Sequence, residues 1–268
     1  MNFLDFAKQV AKEAGKMINS YSSDSIAIES KGSIRDVVTK VDRASEQLIK
    51  HRISEKFPNH QILGEEESFE NKDVHTRILN QINTIPFLWI VDPIDGTNNF
   101  VQNIPGFVVS IALICKGVLT VGVIYDPVRN EMFCAKKDHG TFMNDKKIET
   151  STTSQLEHSV VGTSFSSDFH IREKTVESLS TIISRCRTAR ILGSAALNLA
   201  YVAIGRLTAF WHYELDAWDI AAGILIIRES GGVVTTLDGR EHKIFNKDIL
   251  ASNKYIQKQL LKELNLTK

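Results

Sequence analysis

Residues 89–98 read Trp89-Ile90-Val91-Asp92-Pro93-Ile94-Asp95-Gly96-Thr97-Asn98. The apolar run 87–91 has the length and composition of a buried strand, and it delivers two carboxylates three residues apart. Pro93 fixes φ, and together with Gly96 it lets the chain turn sharply enough to bring Asp92 and Asp95 to one point. Gly96-Thr97-Asn98 also reads as a helix start, whose free N–H groups suit a phosphate. An ordinary strand end with an Asx-turn and an N-cap would use the same residues.

Outward from this string, the spacing predicts strands over 107–115, 118–125 and 131–135, separated by turn residues as in an antiparallel meander. Upstream, Phe3, Ala7, Val10, Ala14 and Met17 recur at helical spacing, and a second helix is expected over about 41–57, stopped by Pro58-Asn59. The polar stretch 19–33 between them reads as a loop or hairpin. From Ser159 onward strands and helices alternate, with strands over 160–165, 188–192, 207–211 and 233–237 and helices over 172–183, 195–204 and 217–229. The pattern implies an antiparallel-rich α+β first half, 1–145, and an α/β second half, 146–268.

Two more acidic strings stand apart. Gly64-Glu65-Glu66-Glu67 by itself is a solvated acidic loop, and Asp216-Ala217-Trp218-Asp219-Ile220-Ala221-Ala222-Gly223 by itself is an N-capped apolar helix.

Charge narrows the function classes. Lys plus Arg number 32 and Asp plus Glu number 32, so there is no basic footprint for nucleic acid or for an anionic membrane surface. An anionic substrate would need cations to supply the positive field locally. Cys115, Cys134 and Cys186 are dispersed, without a C-x-x-C, and the histidines lack zinc-like spacing. Asp5 and Lys8 interrupt the N-terminal apolar residues, unlike a signal peptide, and the nearly apolar stretch 107–115 is too short to span a bilayer. A cytoplasmic protein is expected.

Together, G-E-E, W-I-V-D-P-I-D-G-T-N-N-F, G-S-A-A and W-D-x-A-A-G resemble the inositol monophosphatase family of lithium-sensitive, Mg²⁺-dependent phosphatases. The resemblance runs nearly the whole chain. It implies a layered αβαβα sandwich with the metal site between the halves, two or three Mg²⁺ ions, a small phosphorylated substrate, and a homodimer. It implies that Glu65, Asp92 and the Ile94 carbonyl bind one metal, and that Asp92, Asp95 and Asp219 hold a second. Oxygen-only ligands suit hard Mg²⁺. Thr97 and Asp42 match the family's water-positioning pair and, with Glu65, form the expected catalytic set, although Thr39-x-x-Asp42 also fits a capping box. Thr39 and Asp36 match supporting positions, and Lys31 matches a loop lysine. Phosphate is expected on the N–H groups of Gly96 and Thr97, and substrate hydroxyls on Asp95 and the Gly193-Ser194-Ala195 turn.

One position departs. Seven residues before Asp219, where inositol-specific relatives carry a glutamate, stands His212, with Glu214 two residues later. A histidine accepts at most one hydrogen bond when neutral and attracts anions when protonated. The departure implies a broadened pocket, with inositol 1-phosphate, NADP(H) and fructose 1,6-bisphosphate as rival substrates. A module that merely binds a structural cation would not need Thr97 and Asp42 beside its carboxylates.

Overall fold

The protein's computed structural model describes residues 2–21, 28–33, 36–82 and 84–265. Its first half opens with α1 (Phe3–Asn19), a hairpin of β1 (Ile28–Ser33) and β2 (Asp36–Thr39), and α2 (Lys40–Lys56). Next come β3 (Gln61–Gly64), α3 (Glu65–Glu70), α4 (Lys72–Gln81), β4 (Phe87–Asp95) and α5 (Thr97–Val101). Strands β5 (Val108–Cys115), β6 (Val118–Asp126), β7 (Glu131–Lys136), β8 (Thr141–Met143) and β9 (Lys146–Ile148) then complete a seven-stranded sheet ordered β3 to β9. Every pair in it is antiparallel except β3 with β4.

The second half alternates: β10 (Val160–Thr163), α6 (Phe169–Ile183), β11 (Thr188–Ile191), α7 (Ala195–Ala203), β12 (Ala209–His212), α8 (Ala217–Glu229), β13 (Gly232–Thr235), β14 (Ile249–Asn253) and α9 (Gln257–Asn265). The five strands order β11-β10-β12-β14-β13, parallel across the first three and antiparallel beyond.

The layering follows from which residues each face buries. On β4, Trp89 and Val91 pack with Phe6, Val10 and Ala14 of α1 and Ile49 and Ile53 of α2. Leu88 and Ile90 point the other way, into a core shared with Leu199 of α7 and Ile220, Ile224 and Ile227 of α8. That core continues into Phe210 and Ala251 of the smaller sheet, whose far face, with Ala209, Trp211 and Leu250, is covered by Ile182 of α6 and Leu260 and Leu264 of α9. The result is the expected αβαβα sandwich. Burial on both faces explains why 87–91 is continuously apolar instead of alternating.

Gly122 allows the tightest part of this packing. A Cβ there would lie 2.7 Å from the Ala222 carbonyl oxygen, so α8 rests directly on the β6 backbone.

Several expectations need correction. The chain does not turn at Pro93; β4 continues to Asp95, and the reversal comes at Gly96, φ 99°. Glu65-Glu66-Glu67 is the first turn of α3, with Glu66 buried, not a solvated loop. The β8–β9 hairpin brackets 145/146, so the larger sheet extends to Ile148, and the core is common to both halves. The sequence pattern gives no sign of β3, α3 and α4, of the short β8 and β9, or of β14 and α9. Among the described residues no helix is long and apolar enough to cross a membrane.

Candidate active site

In a regular strand, residues three apart face opposite sides of the sheet. Asp92 pairs with Ser110 and Asp95 with Val108, so three steps along β4 oppose two along β5. This bulge inserts one extra residue and puts both carboxylates on the same side. Two hydrogen bonds hold it: the Ile94 N–H donates to Asp92 Oδ1 at 3.0 Å, and the Ser45 hydroxyl of α2 donates to the Pro93 carbonyl at 3.3 Å. Gly96 then takes the left-handed conformation, and a Cβ there would come within 2.9 Å of the Gly106 carbonyl.

Asp219 arrives from the other half. It sits in the first turn of α8 and accepts the Asp216 N–H at 2.6 Å, so the capping box aims it at the bulge. The Ser110 hydroxyl donates to the Trp218 carbonyl at 3.3 Å, which ties this helix start to β5. Carboxylate oxygens of Asp92, Asp95 and Asp219 lie within 4.8 Å of one another. Glu65, half-buried at the start of α3, acts electrostatically on Asp92, Asp95 and Asp219.

This convergence changes the acids. Burial, then the charges of Glu65, Asp95 and Asp219, pushes Asp92 well above the usual carboxylate range. Burial, then Asp95 and Glu65, does the same to Asp219. Asp95 is pushed only to about 6, because burial is opposed by three donors: the Ser194 hydroxyl at 2.6 Å and the Ala195 and Ala196 N–H groups at 3.2 and 2.5 Å. Such a buried group of acids is one that divalent cations can neutralise, and its all-oxygen donors fit Mg²⁺.

Asp42, fully buried on α2, points at the same place. Its Oδ2 accepts the Thr39 N–H at 2.8 Å and the Thr39 hydroxyl at 2.5 Å, while Oδ1 accepts the Thr97 hydroxyl at 2.9 Å. The capping box and the link to Thr97 therefore coexist. Burial, with Glu65 nearby, raises the Asp42 pKa. The Thr97 hydroxyl also reaches the Ile94 carbonyl at 3.0 Å, and its single proton can serve only one of the two. Lys31 and Asp36 lie on β1 and β2, and their side chains fall outside the described residues.

Two residues escaped the sequence reading. Glu46, one turn beyond Asp42 on α2, accepts the Glu66 and Glu67 N–H groups at 2.7 and 3.1 Å and so fixes the start of α3 where Glu65 stands. The buried face Asp42, Ser45, Glu46, Ile49, Ile53 carried that signal at helical spacing. Asn99 donates to the Gly106 and Leu192 carbonyls at 2.8 and 2.7 Å and joins the loop after β4 to the Gly193 turn.

The acids open into a cavity of about 800 Å³, whose lining includes Phe165, Phe169, Gly193, Ala195, His212, Glu214 and Trp218. Ser194 is buried and gives its hydroxyl to Asp95. His212 is 3% exposed, its Nδ1 accepts the Glu214 N–H at 3.0 Å, and burial pushes its pKa down to about 4. Burial therefore favours the neutral imidazole near pH 7, with the Nδ1 contact leaving the proton on Nε2. Glu214 lines the cavity and holds the Ser166 hydroxyl at 2.5 Å.

The sequence model of the inositol monophosphatase family matches residues 1–267. The fructose-1,6-bisphosphatase/inositol-1-monophosphatase of Thermotoga maritima is 36% identical over 265 residues, 99% of this chain and 96% of that protein. The Nus factor SuhB of Escherichia coli is 36% identical over 264 residues, 96% of this chain and 94% of that protein. Among solved structures, the Thermotoga maritima IMPase superposes with a TM-score of 0.87 at 34% identity, covering 100% of this chain and 98% of that one.

The cluster makes a prediction. A carboxyl whose folded pKa is raised destabilises the fold fully above that pKa and not at all below its unfolded value near 3.8. With divalent cations chelated, Asp219→Asn should therefore melt above the natural chain at pH 7.5, by several degrees, and the gap should shrink toward pH 4. Saturating MgCl₂ at pH 7.5 should raise the melting temperature of the natural chain more than that of the variant. Scanning calorimetry decides; equal shifts would remove Asp219 from the cation site.

Proposed function

We propose that this chain, which belongs to the inositol monophosphatase family and is a phosphomonoester hydrolase, cleaves inositol 1-phosphate and related small phosphate esters in a Mg²⁺-dependent, lithium-sensitive reaction. The observation that carries this reading is the bulge-gathered acid cluster standing beside the Thr97–Asp42 pair.

Glu65, Asp92, the Ile94 carbonyl, Asp95 and Asp219 would hold the cations. Bound there, Mg²⁺ supplies charge neutralisation of the phosphoryl group and a water of lowered pKa. The rest falls to the chain. Asp42 is immobilised by both donors of Thr39. With its proton given to Asp42, the Thr97 oxygen keeps lone pairs that accept from the attacking water and orient it. Raised in pKa, Asp42 can then take up a proton relayed through Thr97. The N–H groups of Gly96 and Thr97 open α5, lack intrahelical partners, and suit a phosphate oxygen.

Substrate choice is read from His212. A neutral Nε2–H donates where a glutamate would accept, so grip on ring hydroxyls is loosened and multiply charged esters are not repelled. This favours broadened specificity reaching NADP(H) or fructose 1,6-bisphosphate. We also read the chain as a homodimer. Val176 and Ile183 stand seven residues apart on the outer side of α6, away from the catalytic cavity, and are 55 and 47% exposed. A second copy would cover this pair.

Three outcomes are expected. Thr97→Ala and Asp42→Asn should each lower kcat by about 10²–10⁴ with little change in KM, and the double variant should lose little more than the worse single one. Strictly additive losses would separate the pair. His212→Glu should raise kcat/KM for inositol 1-phosphate relative to NADP(H) and fructose 1,6-bisphosphate by roughly ten- to a hundredfold. An unchanged ratio places selectivity elsewhere. Sedimentation equilibrium should give twice the 30.1 kDa chain mass, and Ile183→Glu should return it toward one chain. A monomeric natural chain rejects the dimer.

A further inference from the structure

A second cavity, of about 540 Å³, lies between the β5–β6 turn, the C-terminal part of α8 and the loop 242–246. It shares no lining residue with the catalytic cavity. Its walls are mostly apolar, formed by Ile114, Leu119, Ile224 and Phe245. The loop is braced across its own ends, with the Lys243 N–H donating to Asn246 Oδ1 at 2.7 Å and the Asn246 N–H to the Lys243 carbonyl at 2.9 Å.

His242 lines this cavity at 3% exposure, and among the described residues neither ring nitrogen has a hydrogen-bond partner within bonding geometry. Burial, assisted by the Arg228 charge, pushes its pKa down to about 4, against the opposing influence of the Asp248 carboxylate and backbone. The neutral ring presents one donor and one acceptor, and buried groups of both kinds are rarely left unmet. Arg228 lines the same space. It donates to the His242 carbonyl at 2.9 Å and has no carboxylate partner among the described residues. An apolar ligand would leave the imidazole unmet, and an inorganic anion would leave the walls uncovered.

We propose that this cavity binds a small hydroxylated organic acid. Its apolar body rests on Ile114, Leu119, Ile224 and Phe245, its carboxylate on Arg228, and its hydroxyl on His242. Because Ile224 and Arg228 lie on the helix whose first turn carries Asp219, an occupant touches the element that bears an acid of the active site.

The test is calorimetric titration of the full chain with 3-hydroxybenzoate, benzoate and benzyl alcohol. The buffer contains MgCl₂ and saturating inorganic phosphate, which keeps the catalytic cavity occupied. 3-Hydroxybenzoate should bind one site with a dissociation constant below about 1 mM, benzoate about threefold or more weakly, and benzyl alcohol without measurable heat. Arg228→Gln, an exposed position, should weaken 3-hydroxybenzoate by roughly tenfold. His242→Leu should make 3-hydroxybenzoate and benzoate bind alike, and Ile224→Trp should fill the cavity and abolish both. No saturable binding to the natural chain, or equal affinity in the natural chain and Arg228→Gln, overturns the proposal.

Discussion

The molecule is organised around an electrostatic conflict: three aspartates from two halves of the chain place their oxygens within 4.8 Å of one another in a largely buried site. Two unit charges about 4 Å apart repel by about 4 kcal/mol at an effective dielectric of about 20. The fold answers with backbone dipoles. The start of α7 donates to Asp95, the start of α8 is capped by Asp219 itself, and the start of α3 is held by Glu46 so that Glu65 faces the cluster. Each helix N-terminus adds partial positive charge near an acid. What they leave uncompensated is a negative field that divalent cations can neutralise.

Such a conflict persists only on a stiff support. β4 is buried on both faces, and the two cores that cover it include the helices delivering Asp42 and Asp219. Where α8 meets β6 the backbones touch through Gly122, so Asp219 cannot drift without shifting the sheet. Asp95 serves twice, as a member of the cluster and as the acceptor that fastens α7 to the bulge. Packing and chemistry therefore share residues, and the active site is also the seam of the sandwich.

Local chemistry alone explains why some elements were readable. Helices α1, α2 and α8 and strands β4 to β7 declare themselves by periodicity and by turn residues, which act over a few positions. The short β8 and β9 lack enough residues for a period, and β14 and α9 owe their places to contacts with distant strands and helices. Pro93 was legible as a departure from regular structure, yet a turn and a bulge use the same residue. Only the pairing of Asp92 with Ser110 and Asp95 with Val108 distinguishes them.

The sequence by itself determined the family and the layered architecture and carried the aspartates that converge, because D-P-I-D-G-T and W-D-x-A-A-G are contiguous motifs. Tertiary structure alone decided what those residues are physically. The Thr39–Asp42 pair turned out to be both a helix cap and a partner of Thr97, since the two oxygens of one carboxylate can serve both roles. Glu46 gained its role from a helix start 20 residues away. His212, whose unperturbed pKa allows either charge state, is pushed toward the neutral form because β12 buries it, and the Glu214 N–H on Nδ1 sets which nitrogen keeps the proton. Protonation states and shared ligands depend on desolvation and on groups far apart in the chain, and neither is written in a local string of residues.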